Sequence, residues 1–275
     1  MARLDPNNSS LFWTDRRISG LSLMRADFTT HSFAPHVHEA FVIAVTEEGG
    51  AEIKSRGQIE QAHAAKLFVF NPGEPHAGWM GASHRWRYRS FYVPCPTIAE
   101  VADALGIDRT PYFLRNDFDD PDLIGAFLHL HRILENPGDP MLERSILIEA
   151  FGTLFDRYGS GGERPAAPPR DQELFKIIRE AMLARYATSL TLDELARLAD
   201  LTVFQLIGMF NRVAGMTPHA YLTQVRLDAA CNLLERGACI AEAALAAGFY
   251  DQSALTRRFK RSYGITPLQF AKATA

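Results

Sequence analysis

Runs of apolar residues broken by turn signals predict short β-strands in the first hundred positions of the chain. Ala40–Thr46 is a continuous β-branched and aromatic run that Glu47–Gly50 ends, and Lys66–Phe70 is a second run that Asn71–Gly73 ends. Arg85–Val93 starts with a period of two, in which large apolar and basic residues alternate. Short strands at such intervals are typical of an all-β barrel or sandwich.

The apolar period becomes that of a helix between residues 97 and 158. Pro121–Glu135 carries one apolar stripe, made of Leu123, Ile124, Phe127, Leu128, Leu130 and Leu134. Met141–Tyr158 carries another, made of Leu142, Ile146, Leu147, Ala150, Leu154 and Phe155. The first domain is therefore predicted to be a small β barrel followed by a helical hairpin. Helices with such apolar faces either pack back on the strands or pair with a second subunit.

A stretch rich in glycine and proline divides the chain. Residues 159–170 contain three glycines and three prolines, a composition that sustains neither a helix nor a sheet. We therefore predict an N-terminal domain over 1–158, a linker over 159–170 and a C-terminal domain over 171–275.

The C-terminal domain is predicted to be all helix, and its sequence repeats itself. Leu206, Phe210, Arg212, Gly215, Thr217, Pro218 and Tyr221 recur 49 residues later as Leu255, Phe259, Arg261, Gly264, Thr266, Pro267 and Phe270. Upstream of a turn the offset is 48, as between Leu192 and Ile240. Each copy is predicted to be a short alanine-containing helix, a turn and a second amphipathic helix, which is the pattern of a helix-turn-helix unit.

Local signals place the turns and the helix starts within each copy. The turn requires a residue that tolerates a positive φ, and Asp200 and Gly248 stand at that place in the two copies. Thr191–Glu194 is a capping box for the first helix of copy one, whereas Cys239 lacks the hydroxyl at the corresponding place in copy two. Two further helices are predicted to start at threonine-proline pairs, Thr217–Pro218 and Thr266–Pro267.

The second helix of copy two, Asp251–Tyr263, carries the polar groups that suit DNA. Ala254, Leu255 and Phe259 give it an inward face. Its polar side chains include Gln252, Ser253, Thr256, Arg257, Arg258, Lys260 and Arg261. The glutamine, serine, threonine and arginine side chains of its exposed N-terminal turns can bond base edges. The cluster of Arg258, Lys260 and Arg261 suits the phosphates that flank a groove. A plain helical bundle and a protein-binding module are the alternatives, and the basic second helix favours DNA over both.

The segment Ile240–Pro267 closely resembles the signature of the AraC/XylS family of bacterial transcription regulators. The resemblance covers about residues 172–272 and implies two helix-turn-helix units that bind successive major-groove faces. It makes base-contact candidates of Gln252, Ser253, Thr256 and Arg257 in copy two, and of Phe204 and Gln205 in copy one.

Copy one departs from the family pattern, because Ile207 and Gly208 stand where polar or basic residues are usual. A glycine cannot contact a base edge, and it destabilises the helix by about 1 kcal/mol relative to alanine. One good bidentate arginine contact contributes about 1–3 kcal/mol of discrimination. We therefore expect copy two to supply most of the specificity, with Phe204 and Arg212 adding apolar or backbone contacts in copy one.

Three histidines indicate a ligand site in the N-terminal domain. His36 and His38 open a strand, and His76 closes the turn that begins at Asn71. This pattern is similar to the two short motifs of cupin barrels, and the order of barrel and helices resembles the sensor domain of AraC-type regulators. The glutamate that metal-dependent cupins add is missing, because Val42 and Ile43 lie at the expected spacing.

Three interpretations of these histidines stay open, namely a catalytic metal, a sensor pocket for a metal or small polar effector, and hydrogen bonds within the barrel. We assign them to an effector site, since barrel mouths hold ligands, and we assign no metal or cofactor. Trp86 and Tyr88 share a strand face and are added as stacking groups, although core packing is the commoner fate of aromatic rings. Arg87 and Arg89 lie on the other face, where we expect them to be solvated.

The basic and acidic residues are distributed unevenly along the chain. The 275 residues include 29 Lys and Arg against 32 Asp and Glu, a net charge of −3 that by itself speaks against nucleic acid. Residues 171–275 carry 12 basic and 10 acidic side chains, whereas residues 1–170 carry 17 and 22. The basic share therefore lies in the predicted DNA-binding domain.

Three dispersed cysteines, no apolar leader and no long apolar run predict a reduced, cytoplasmic protein that does not enter the membrane. We predict an α+β transcription regulator without enzymatic activity. Its expected partners are double-stranded promoter DNA, a small-molecule effector, RNA polymerase and a second copy of the chain. The alternative is a metal-dependent cupin enzyme whose helical tail binds a partner.

Overall fold

The computed structural model describes residues 8–15, 17–18, 20–64, 66–105, 107, 110–136, 140–159 and 169–274. The chain divides into two units, one built mostly from residues before 165 and one mostly from residues after it. The first unit is an antiparallel sheet with helices, and the described residues 169–274 form helices and turns, so the predicted α+β class is confirmed. Most of the predicted linker, residues 160–168, lies outside the described residues, and the domain boundaries stay a prediction.

The predicted strands near residues 40, 66 and 85 are present and pair with one another. The strands are β1 (Asn8–Thr14), β2 (Ser22–Phe28), β3 (Ser32–His36), β4 (Ala40–Ser55), β5 (Gln58–His63), β6 (Leu67–Phe70), β7 (His76–Trp79), β8 (Trp86–Pro94) and β9 (Asp117–Phe118). The sheet order is β1-β2-β8-β4-β6-β9, with antiparallel neighbours throughout. Strand β5 also pairs with β4, and β3 pairs with β7.

Strand β4 is longer than predicted, because it continues through the turn signal Glu47–Gly50. A bulge shifts its register against β8 between Thr46 and Glu48. Beyond the bulge Gly49 has a φ of 71°, and a Cβ there would lie 1.7 Å from the carbonyl oxygen of Arg85. Glycine therefore lets two backbones approach and lets the bent strand keep its pairing instead of ending.

The predicted helical hairpin is confirmed, and it packs back on the sheet. The helices of this unit are α1 (Cys95–Ala104), α2 (Pro121–Glu135) and α3 (Pro140–Tyr158). Asp120 starts α2 as a cap by accepting from the backbone N of Leu123 at 3.1 Å. Phe127 of α2 and Phe151 of α3 share one buried core with Phe91 of β8. The ring centroid of Phe127 lies 5.5 Å from that of Phe91 and 5.3 Å from that of Phe151.

One member of the predicted stripe on α3 faces the other way. Leu142 is exposed, whereas its neighbour Glu143 is buried and pairs with Arg17. Because adjacent residues of a helix lie about 100° apart, the inward turn of Glu143 directs Leu142 toward the surface. An ion pair therefore overrides the apolar pattern in the first turn of this helix.

The C-terminal unit contains the predicted repeat. Its helices are α4 (Pro169–Arg185), α5 (Leu192–Leu198), α6 (Val203–Ala214), α7 (Pro218–Glu235), α8 (Ile240–Ala246), α9 (Gln252–Tyr263) and α10 (Pro267–Thr274). Asp200 and Gly248, between the helices of each pair, have φ values of 52° and 81°, which confirms their predicted place in the turns. Gly215 and Gly264 end α6 and α9 in the left-handed conformation, which explains why this glycine recurs.

The helix caps repeat as well, with one correction. Thr191 and Glu194 form the predicted capping box of α5. At the start of α8 the sulfur of Cys239 accepts from the backbone N of Glu242 at 3.5 Å, and Glu242 accepts from the backbone N of Cys239 at 3.3 Å. The missing hydroxyl is thus replaced by a thiol, a weaker acceptor that keeps the same geometry.

Candidate functional site

Helix α9 directs its core residues inward and its predicted DNA-binding residues outward. Leu255 and Phe259 are fully buried, and Asp251 caps the helix by accepting from the backbone N of Ala254 at 2.6 Å. The exposed side chains are Gln252, Ser253, Arg257, Arg258 and Arg261, and the half-buried ones are Thr256 and Lys260. Among the described residues no carboxylate pairs with these three arginines, so their charge is available to an anionic partner.

Helix α6, the counterpart of α9 in copy one, presents fewer polar groups. Gln205 takes part in a capping box, in which its Oε1 accepts from the backbone N of Thr202 at 2.9 Å. In return Thr202 Oγ1 accepts from the backbone N of Gln205 at 3.2 Å. The spacing Thr-x-x-Gln is the sequence signal for this box. Ile207 is half-buried, and the side chain of Phe204 lies outside the described part of the chain.

Arg212 lies over Gly208, one turn earlier on α6. A Cβ added at Gly208 would meet Arg212 Nη1 at 3.2 Å, so the glycine leaves the space in which the guanidinium lies. Arg212 Nε donates to Asp171 Oδ2 of α4 at 2.8 Å, and the arginine remains exposed. The guanidinium of Arg212 therefore lies close to the place that a Cβ at residue 208 would take. It also forms an ion pair with the carboxylate of Asp171.

One aromatic residue beside α9 was not predicted from the sequence. Tyr250 directly precedes the cap Asp251, and 91% of its surface is exposed. A ring at the start of a helix that enters a major groove is placed for apolar contact with a thymine methyl group. The sequence signal that identifies Tyr250 is its place in the turn of a helix-turn-helix unit. A large aromatic side chain there has no core around it in which to be buried.

The structure assigns two of the three predicted histidines, His36 and His76, to the second unit and His38 to the first. His36 ends β3, His76 begins β7, and these two strands pair. The ring centroids of His36 and His76 lie 4.5 Å apart. His36 is 4% exposed, and its Nδ1 lies 2.7 Å from the carbonyl oxygen of Ala34. Since a carbonyl only accepts, Nδ1 carries the proton and Nε2 of His36 keeps its lone pair.

Trp86 and Tyr88 share one face of β8, as predicted, and both are buried. Their rings stack with centroids 4.3 Å apart, and Trp86 Nε1 donates to Thr46 Oγ1 at 3.1 Å. Burial raises the pKa of the Tyr88 hydroxyl well above its ordinary value, so the hydroxyl stays protonated and can donate. Tyr92 continues this face, and its ring centroid lies 5.0 Å from that of His38. The period of two that starts at Trp86 and Tyr88 predicts that Tyr92 lies on the same face.

The opposite face of β8 differs from the prediction, because α2 covers it. Arg89 is 8% exposed instead of solvated, and it pairs with Glu135 at 2.6 Å and with Glu47 at 3.0 Å. His131 is fully buried beside it, where Nδ1 accepts from Arg89 Nη1 at 2.9 Å and Nε2 donates to the carbonyl oxygen of Met24 at 3.1 Å. Burial, and then the charge of Arg89, lower the pKa of His131 to about 4.

A surface cavity in the first unit lies apart from these groups. Its lining includes Arg56, Glu60, Arg115 and Asp117, and it includes none of the predicted effector residues. Arg56 is already engaged, since its Nε donates to Glu74 Oε1 at 2.8 Å. This cavity is therefore not the predicted effector site.

Comparisons with known proteins match both units. The family described as AraC-like ligand binding domain matches residues 19–151, and the family described as helix-turn-helix domain matches residues 195–273. The uncharacterised HTH-type transcriptional regulator YbfI of Bacillus subtilis is 28% identical over 223 residues, which are 80% of either chain. The thermoregulatory protein LcrF of Yersinia pestis is 30% identical over 160 residues, 54% of this chain and 56% of that protein.

The fold is also that of a solved regulator. ToxT from Vibrio cholerae superposes with a TM-score of 0.51 at 10% identity, over 97% of this chain and 98% of that chain. No described helix is both long and apolar enough to cross a membrane. The comparisons give no support to the alternative of a cupin enzyme, whereas they match a ligand-binding domain followed by a helix-turn-helix domain. The chain therefore belongs to the AraC family of transcription regulators, in which an N-terminal ligand-binding domain accompanies a helix-turn-helix DNA-binding domain.

Proposed function

We propose that this regulator binds promoter DNA mainly through α9, and that a small polar or anionic effector in the ligand-binding domain controls the binding. The observation that carries the first part is the contrast between the two recognition helices. Helix α9 has exposed Gln252 and Ser253 in its first turn and three exposed arginines without a carboxylate partner among the described residues. Helix α6 has one exposed arginine, Arg212, and that arginine is paired with Asp171.

The roles within α9 follow from side-chain chemistry and position. Gln252, Ser253, Thr256 and Arg257 lie in its first two turns and are assigned to base edges, as the N-terminal turns of a recognition helix usually are. Arg258, Lys260 and Arg261 are assigned to the phosphates on either side of the groove. In copy one, Phe204, Gln205 and Arg212 contribute less, since the Gln205 amide already caps its helix.

The effector is assigned to the residues that the sequence predicts for it, namely Trp86, Tyr88, His36, His38 and His76. Aromatic rings supply stacking area, and the histidines supply polar contacts that fix an orientation. Control requires that the effector bind two arrangements of the DNA-binding domains with different affinities, because otherwise it shifts no equilibrium. The predicted linker over 159–170 is where we place that change of arrangement.

Partners other than DNA and an effector belong to the same proposal. A homodimer through the helices of residues 97–158 would use their outer faces, because the buried stripes of α2 and α3 already face the sheet. We propose RNA polymerase as the partner at the promoter. A cytoplasmic location is proposed because DNA is the target. We propose no catalytic activity.

The test selects binding sites from random-sequence DNA with the full chain and then measures affinities for the selected site. Arg257→Ala is expected to weaken binding about 5- to 150-fold and to relax preference at one base pair, as the loss of one bidentate contact would. Arg236→Ala makes the same change at the exposed end of α7 and is expected to leave affinity within about twofold. Equal base preference under both units, or a motif unaffected by Arg257→Ala, would contradict the proposal.

A further inference from the structure

We infer that the surface cavity in the first unit binds a small zwitterionic ligand, which carries a carboxylate and an ammonium group as an amino acid does. The cavity has a volume of about 170 Å³. Pockets that hold drug-sized ligands have volumes of about 300–1,000 Å³, so a ligand of amino-acid size fits this cavity better than a nucleotide does. The inference adds a second ligand to the effector proposed above and does not depend on that proposal.

Two walls that are fixed to one another line the cavity. One is the β4–β5 hairpin, where Arg56 of the turn has a φ of 51°, which is unfavourable for a residue other than glycine. The other is the segment that leads into β9, residues 114–117. The buried carboxylate of Glu74 joins them, because its Oε1 accepts from Arg56 Nε at 2.8 Å and from Asn116 Nδ2 at 2.6 Å. The shape of the cavity is therefore set before a ligand enters.

Four charged residues line the cavity, two basic and two acidic. Arg56 and Asp117 are held in ion pairs by residues outside the lining, with N···O distances of 2.7 Å in both pairs. The other two, Arg115 and Glu60, form no ion pair with each other or with any described residue. One cation and one anion of the lining are therefore available to a ligand.

The guanidinium of Arg115 is positioned as a receptor for a carboxylate. Its Nε donates to the carbonyl oxygen of Asp117 at 2.8 Å, and its Cζ lies 4.9 Å from the centre of the Phe118 ring. These contacts restrict the side chain, and they leave both Nη groups without a hydrogen-bond partner among the described residues. Two such groups present parallel N–H bonds that match the two oxygens of a carboxylate.

Glu60 supplies the opposite charge on the hairpin wall. It lies opposite Ile53 in the register of β5 with β4, and Gln58 lies opposite Ser55, so these four side chains share one face of the hairpin. The Glu60 carboxylate is half-buried, and no described residue donates a hydrogen bond to it. It can therefore accept from an ammonium group. A phosphate or a dicarboxylate would bring a second negative charge toward Glu60, which is why a zwitterion fits this lining better.

The test follows thermal unfolding of the full chain with each of the common L-amino acids in excess. At least one is expected to raise the melting temperature by mass action. Its amide and its N-acetyl derivative, which each lack one of the two charges, are expected not to do so. Calorimetric titration then gives the affinity for the amino acid with the largest effect. Arg115→Gln and Glu60→Gln should each weaken that affinity about 10- to 150-fold, the range for the loss of a hydrogen bond to a charged group.

The matched controls are Arg144→Gln and Glu100→Gln, which change an exposed arginine and an exposed glutamate of the same unit outside the lining of the cavity. Both should bind the amino acid as the unchanged chain does. Unfolding without ligand shows whether each variant folds, and the two cavity variants lie on different walls, so that either one suffices. A panel in which no amino acid stabilises the chain, equal binding of either derivative, or full binding by the folded cavity variants would overturn the inference.

Discussion

His131 is a base that the fold keeps uncharged. Its two ring nitrogens are engaged with Arg89 and the carbonyl oxygen of Met24, and its ring packs edge-on against Trp13 and Phe91, with centroids 5.2 and 5.1 Å away. A proton on Nδ1 of His131 would face the positive charge of the Arg89 guanidinium. It would also break the hydrogen bond that Arg89 donates to this nitrogen. This is why burial and that neighbouring charge lower the pKa of His131 to about 4.

We predict that the N-terminal unit loses stability as the pH falls from about 6.5 to 4.5, because the unfolded chain then binds a proton at residue 131 that the folded chain does not bind. The free energy of unfolding should fall by at most about 1.4 kcal/mol per pH unit in this window. Burial acts to raise the pKa values of Glu47 and Glu135, but their hydrogen bonds to Arg89 hold both values below the ordinary one, so their contributions are lost only at lower pH. Urea unfolding across the window measures the slope.

His131→Phe keeps a ring of similar size, and it should flatten that slope while Arg89 keeps both of its carboxylate partners. His129→Ala, on the exposed side of the same helix, should leave the slope as it is. A slope that persists in His131→Phe would show that other groups produce the pH dependence.

Single residues divide sharply into those that sequence predicts and those that it does not. The positive φ of Asp200 and the cap at Thr191 follow from local chemistry, and both were predicted. Arg89 and His131 were not assigned a buried role, because their burial depends on α2 lying across β8, which no local pattern encodes. The capping role of Gln205 follows from the local spacing Thr-x-x-Gln, which the prediction of a base contact at this residue leaves out.

Whole elements were predicted well wherever a strong period or a proline-marked start was present. Helix α2 has the predicted bounds, Pro121–Glu135, and α7 begins at Pro218, as the threonine-proline pair predicts. The prediction ends strand β4 too early, because glycines that usually end a strand here serve a bulge and a close backbone approach. The error shows that a turn signal marks bending of the chain, and only the neighbouring strand decides whether pairing continues.

The turn between α8 and α9 gives a prediction for an element rather than a residue. A Cβ at Gly248 would lie 2.8 Å from the carbonyl oxygen of Tyr186 and from the α-carbon of Ala187, so the turn packs against the backbone that follows α4. Gly248→Ala should therefore destabilise the C-terminal unit by about 1–2 kcal/mol for its positive φ and by about 1–3 kcal/mol more for the forced backbone shift. Thermal or urea unfolding of the full chain measures the sum.

The matched control is Gly237→Ala, at a φ of 84° against 81° for Gly248 but with no atom within 4 Å of the added Cβ. Gly237→Ala should therefore lower the free energy of unfolding only by the amount that the positive φ costs an alanine. If both variants lose the same stability, the backbone following α4 does not restrain this turn, and the position of α9 is set by its buried residues instead.

At the scale of the whole molecule, the distribution of charge matters more than its sum. The chain carries a net charge of −3, and its C-terminal residues 171–275 have an excess of only two basic side chains. Four cations nevertheless lie within five consecutive residues of α9, from Arg257 to Arg261, and their side chains are exposed or half-buried. Several carboxylates of the N-terminal unit, among them those of Glu135 and Glu74, form ion pairs within that unit.

An acidic protein with such a cluster should still bind DNA with the salt dependence of a basic one. If three to five of its cations neutralise phosphates, log K should fall with log salt at a slope of about −3 to −4.5, since each contact contributes about −0.9. Arg258→Ala should reduce the slope by about one contact on every sequence tested, because a phosphate contact carries no base preference, whereas Arg236→Ala should not change it. Filter binding of the full chain to its selected site between about 50 and 200 mM salt measures this slope. A slope near zero would mean that net charge, and not the cluster on α9, governs the encounter with DNA.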